Sequence, residues 1–190
     1  MGKLYPELDA RISAFIEAQH LFFVATAPSG AEGHVNLSPK GLDCFRILGP
    51  RRVAYLDFVG SGAETLAHLR DNGRIVVMFC AFEGPPKILR LHGKGRGIEP
   101  TDEAFPSLAA HFPSEPGVRS IIDIEIVRIS DSCGFGVPLY DFRGPRPQLI
   151  AWAEKKGPEG LADYQRAKNA TSIDGLPALR WVEGDQPGDG

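Results

Sequence analysis

Val53-Ala54-Tyr55-Leu56-Asp57-Phe58-Val59 runs into Gly60-Ser61-Gly62-Ala63-Glu64-Thr65, and that into Leu66-Ala67-His68-Leu69-Arg70-Asp71-Asn72-Gly73-Arg74. The first run is apolar, aromatic and β-branched, the second is small and hydroxylated, and the third has helical spacing before an Asn-Gly stop. They read as strand, turn and helix. Free N–H groups at the start of a helix point back at the preceding turn, so the turn suits a phosphate. An ordinary helix cap, with Glu64 complementing the positive end, accounts for the same residues.

Strand-like segments lie on both sides of this stretch. Residues 20–27, 35–40 and 44–48 precede the strand of residues 52–58, and residues 74–82, 87–98 and 120–129 follow it. Pro28-Ser29-Gly30, Gly49-Pro50 and Gly84-Pro85-Pro86 punctuate them as turns. So few helices separate these strands that neighbours are expected to pair antiparallel and close into a barrel, giving a mainly β fold. Helices are predicted over residues 7–18 and over residues 101–111, the second capped by Thr101. After Asp141 the character changes: Pro145, Pro147 and Pro158 flank two predicted helices, residues 149–155 and 159–168, before a Gly- and Asp-rich tail expected to be mobile from Gly184 onward. The chain therefore divides into a barrel domain, residues 1–141, and a helical or irregular extension, residues 142–190, packed on the barrel.

With 190 residues, 43% of them apolar, the chain can bury one substantial core. A net charge of −3 with scattered Lys and Arg excludes a basic field for nucleic acid or anionic membrane. No stretch reaches membrane-spanning length, and the N-terminus lacks the apolar core of a signal peptide. Cys44, Cys80 and Cys133 are far apart, which argues against a disulfide framework or zinc site and for a reducing cytoplasm. A small buried thiol is the expected state of Cys133. The five histidines include no metal-binding pair at helical spacing. Partners are therefore expected to be small molecules or protein.

Standard catalytic turns are missing. Val59 breaks a Gly-x-Ser-x-Gly elbow around Ser61, and Gly93-Lys94-Gly95-Arg96-Gly97 does not match a dinucleotide-binding turn. Strand alternation instead places Asn36, Ser38 and Lys40 on one face of Val35-Asn36-Leu37-Ser38-Pro39-Lys40-Gly41, with Arg90 and His92 sharing a face of a later strand.

In order and motif, residues 4–141 resemble the pyridoxamine 5'-phosphate oxidase-related family of flavin-binding split barrels. The resemblance rests on Leu37-Ser38-Pro39-Lys40-Gly41, Phe45-Arg46-Ile47-Leu48, Val53-Ala54-Tyr55-Leu56-Asp57, the Gly60-Ser61-Gly62 turn, Met78-Phe79-Cys80-Ala81-Phe82-Glu83-Gly84-Pro85-Pro86 and Ser130-Asp131-Ser132-Cys133-Gly134-Phe135-Gly136-Val137-Pro138. It implies a six-stranded antiparallel split barrel, a homodimer with FMN where the two copies meet, and an FMN-dependent oxidoreductase acting on a small molecule. A flavin- or haem-binding carrier or sensor is the alternative, and deazaflavin the alternative flavin. By the same resemblance Asn36, Leu37 and Ser38 lie along the flavin ring, Lys40 binds substrate, Leu56 and Asp57 flank the ribityl chain, and Ser61, Gly62 and Thr65 hold the phosphate. The family's basic residues at this helix start align with Glu64 and Thr65, and its phosphate-binding arginine with Val35. Arg90 is therefore the preferred cation for the phosphate, with Arg46 and Lys87 behind it. No catalytic residue is assigned.

Overall fold

Thirteen short elements, described over residues 2–184 of the computed structural model, follow from these patterns. They are β1 (Leu4–Tyr5), α1 (Ala10–Glu17), β2 (Phe22–Thr26), β3 (Asn36–Lys40), β4 (Phe45–Gly49), β5 (Arg52–Phe58), α2 (Glu64–Asp71), β6 (Arg74–Cys80), β7 (Ile88–Ile98), α3 (Phe105–Ala109), β8 (Val118–Ser132), α4 (Gln148–Lys168) and α5 (Arg180–Gly184). The seven strands expected from the pattern are β2 to β8, and β1 adds a two-residue pairing to β8. Beyond Gly184, the predicted mobile tail lies outside the described residues.

Sheet order is β3-β2-β6-β7-β8-β5-β4, antiparallel throughout. Its two ends, β3 and β4, are consecutive in sequence. Seven strands laid flat would span about 29 Å, whereas the link from Lys40 to Phe45 reaches at most about 18 Å. The sheet must curl until its ends approach each other, yet the hydrogen-bonded path does not continue from β3 to β4. The result is a barrel split along that seam rather than a closed one. Alternation fills its interior: Phe22 and Val24 of β2, Val77 and Phe79 of β6, Leu89 and Leu91 of β7, and Val53 and Tyr55 of β5 are all buried.

Helix α2 is wrapped on both sides, since Thr65, Leu66, Ala67, His68 and Leu69 are all buried. One side packs on β7 at Gly97, where a Cβ would stand 2.3 Å from Leu66 Cδ2. The glycine-rich run of β7 thus serves close helix packing. One helix prediction is corrected. Thr101 caps no helix, because the Asp102 carboxylate accepts the Glu99 N–H at 2.7 Å and also meets Arg180, so α3 begins only at Phe105, where Pro106 fits the first turn. The two helices expected within residues 149–168 are both present, parted at Gly157, whose φ of 67° and ψ of 173° are not helical and which precedes Pro158.

Candidate functional site

The polar face of β3 points inward. Its Asn36, Ser38 and Lys40 stand opposite Thr26, Val24 and Phe22 of β2. Ser38 Oγ donates to Asn36 Oδ1 at 2.9 Å, and Asn36 Nδ2 donates to Thr26 Oγ1 at 3.0 Å and Thr65 Oγ1 at 3.1 Å. Thr26 Oγ1 in turn lies 3.0 Å from Nδ1 of His68, a fully buried ring. One hydrogen-bonded chain therefore joins β3 and β2 to the first two turns of α2.

Asp57 is the electrostatic centre. It is 0% exposed, and Arg119, itself 4% exposed, donates from Nε to Asp57 Oδ2 at 2.7 Å. Ser120 Oγ donates to the same oxygen at 3.2 Å, and Lys40 Nζ stands 3.6 Å from Oδ1. Burial alone would raise the Asp57 pKa, but the two cations and the hydrogen bonds from Arg119 and Ser120 outweigh it and hold the carboxyl below its ordinary value. Two cations on one carboxylate leave a net positive charge at the seam. Burial, helped by Asp57 and Cys44, pushes the Tyr55 hydroxyl well above its usual pKa, so it stays protonated. The Tyr55 hydroxyl and His68 Nε2 have no hydrogen-bond partner among the described residues.

Asp123 repeats the Asp57 pattern away from the site: burial raises its pKa, but hydrogen bonds from Arg52 and Arg96 lower it further. A carboxyl with a depressed folded pKa contributes stability that is complete above its unfolded value, about 3.9, and is lost as pH falls through the folded value. The urea midpoint is therefore expected to hold from pH 7 to about 5 and to drop below about pH 4, as read by denaturant titration across that range.

Pro39 explains how β3 presents itself. It has no N–H to give β2, so it and Leu37 occupy the positions whose backbone groups point to the open edge, while Asn36, Ser38 and Lys40 exchange ladder bonds. Leu37, 64% exposed, thus offers one N–H and one C=O at the seam. A cavity of about 410 Å³ opens past the other end of β3, where Lys40 pairs with Phe22; Phe22, Phe45, Phe79, Leu42 and Arg46 are among its lining residues.

The turn at residues 60–65 is differently used. Ser61 and Gly62 are exposed, whereas Thr65 is 5% exposed and accepts from Asn36. Ala63 is the N-cap residue of α2, and no side chain caps the helix. A strap formed by residues 169–178 crosses the turn: Asn169 Nδ2 donates to Gly60 O at 2.9 Å, and Ile173 N donates to the Glu64 carboxylate at 3.2 Å. His34 holds the strap through Asp174, ring to carboxylate at 2.7 Å. Leu56 is buried and pairs with Ile121, its N–H donating to Cys44 O. Arg90 is not with the others. It pairs with Met78, donates to Ser132 Oγ at 3.0 Å, and stands seven residues along β7 from Gly97, where α2 packs, about 23 Å away. Arg46 is held by Asp43 and by His111 O, and Lys87 lies over the Tyr5 and Phe15 rings. Cys133, expected to be buried, is exposed, while Cys44 is buried and its thiol is pushed up to about 12.

A family profile described as pyridoxamine 5'-phosphate oxidase matches residues 8–133. The chain belongs to the pyridoxamine 5'-phosphate oxidase family. A member from Aspergillus flavus, the pyridoxamine 5'-phosphate oxidase family protein ustO, is 40% identical over 196 residues, covering 94% of this chain and 78% of that protein. Among solved structures, a HupZ variant from Group A Streptococcus aligns with a TM-score of 0.52 at 23% identity, over 66% of this chain and 99% of the other. A candidate pyridoxamine 5'-phosphate oxidase from Lactobacillus delbrueckii also gives 0.52, at 16% identity, over 67% and 98% of the two chains. At these identities the likeness concerns the fold.

The FMN that membership of this family implies fits the site in part. The open β3 edge and the aromatic cavity match a planar ring with hydrogen-bonding edges. At the turn the fit fails, because Glu64 stands in the first turn of α2 and Arg119 is already committed to Asp57 and to Gly62 O. Sequence reasoning missed Arg119, Thr26, His68 and the strap. Arg119 had a signal: like Asp57, it interrupts an apolar strand, and a charge so placed needs a partner.

Proposed function

We propose that the chain is a flavin-dependent oxidoreductase acting on a small molecule in the cytoplasm, with FMN as its flavin and a second copy of the chain completing the site. The observation that supports it is the open edge of β3, where the Leu37 backbone stands beside the inward row Asn36, Ser38 and Lys40. A bound flavin would supply hydride transfer, and the protein orients and shields it. The Leu37 N–H and C=O hold the ring edge. Lys40, kept in place by Asp57 and 22% exposed, meets an anionic or carbonyl group of the substrate. The phenyl floor of Phe22, Phe45 and Phe79 keeps water from one side.

A second reading, a flavin or haem carrier without turnover, is favoured by one observation. The titratable groups at the seam are held in fixed states: Asp57 charged by two cations and Tyr55 protonated by burial. The experiment that separates the readings is reduction of the bound flavin by NADH or NADPH, followed by reoxidation with candidate acceptors. Reduction and repeated turnover are expected. A bound flavin that neither nicotinamide reduces and no acceptor reoxidises assigns the chain to the carrier class.

A further inference from the structure

Four features at the start of α2 oppose an anion. The Glu64 carboxylate occupies its first turn and accepts the Ile173 N–H at 3.2 and 3.3 Å. The strap that supplies this N–H is firmly seated: Asn169 is 0% exposed and bonds Gly60 O, Leu179 N donates to Asn169 O at 3.3 Å, and Asp174 accepts from the His34 backbone at 2.9 Å. Arg119, the guanidinium that reaches the turn, is 4% exposed and already bonded to Asp57 and to Gly62 O. Thr65, in the first turn of α2, is likewise shielded and engaged by Asn36. A helix start that ordinarily attracts negative charge has here been given a carboxylate of its own and a strap bonded to it. The groups suited to a ring lie elsewhere, along the open edge of β3 and in the aromatic cavity past its Lys40 end.

Resting on the flavin reading above, we infer that this chain binds its flavin through the ring and leaves the phosphate unheld, so that its ligand class is the isoalloxazine and not the flavin phosphate. The site does not distinguish FMN from riboflavin. Glu64 is the residue responsible, since it repels the group that the turn would otherwise receive.

The test is fluorescence titration of the full chain with FMN and with riboflavin under identical salt. Dissociation constants within about threefold of each other are expected. The Glu64→Lys variant is expected to tighten FMN about tenfold and to leave riboflavin unchanged, with riboflavin binding serving as the check that the variant is folded. FMN binding tenfold or more tighter than riboflavin in the unmodified chain overturns the inference and leaves the flavin reading standing. Binding of neither flavin overturns both. Should Glu64→Lys fail to fold, the comparison in the unmodified chain decides by itself.

Discussion

Replacing Asp57 by Ala is expected to lower stability by about 3–5 kcal/mol, the cost of leaving a buried ionic partner without its counter-charge. Arg119 is 4% exposed and has no route to water without disturbing the turn that its other nitrogen holds through Gly62 O. Lys40 loses its anchor in the same substitution, since Asp57 Oδ1 is its carboxylate. For a chain of this length, about 2–4 °C accompanies each kcal/mol, so the thermal midpoint should fall by about 10 °C. The double variant Asp57→Leu with Arg119→Met removes both charges together and is expected to recover most of that loss. A fall of less than about 2 °C for Asp57→Ala would mean that the pair does not organise the seam.

Leu37→Pro tests the open edge. The Leu37 N–H points away from β2, so proline at that position removes no ladder bond, just as Pro39 removes none two residues on. Folding should survive, with the thermal midpoint within about 5 °C of the unmodified chain. Flavin affinity should weaken about threefold to tenfold, the worth of one lost hydrogen bond. Leu37→Ala keeps the N–H and is expected to keep the affinity. The two substitutions together separate the backbone donor from the side chain in a single set of fluorescence titrations.

Much of the architecture was legible because it rests on local pattern. The continuous apolar run of residues 52–58 and the alternation along residues 88–98, with turn residues between the runs, give antiparallel strands, and the inward row of Asn36, Ser38 and Lys40 follows from period two. The seam between β3 and β4 was not legible, since it depends on how far the sheet curls. Arg119 and Asp57 lie 62 residues apart and meet only through the pairing of β5 with β8. The strap is a longer-range case: Asn169 and Ile173 each reach back 109 residues to the turn, and no local pattern announces that contact. Glu64 was visible, but whether it capped a helix, met a cation or held a covering segment depended on elements outside its own neighbourhood.

The absorption spectrum of the freshly purified chain, followed by titration of any colourless fraction with FMN, tests the central claim most directly. The account predicts the two visible bands of an oxidised flavin, or saturable quenching of added flavin fluorescence, with Leu37→Pro weakening the binding. A Soret band in place of those bands, or colourless protein that leaves added flavin fluorescence unchanged, would contradict it.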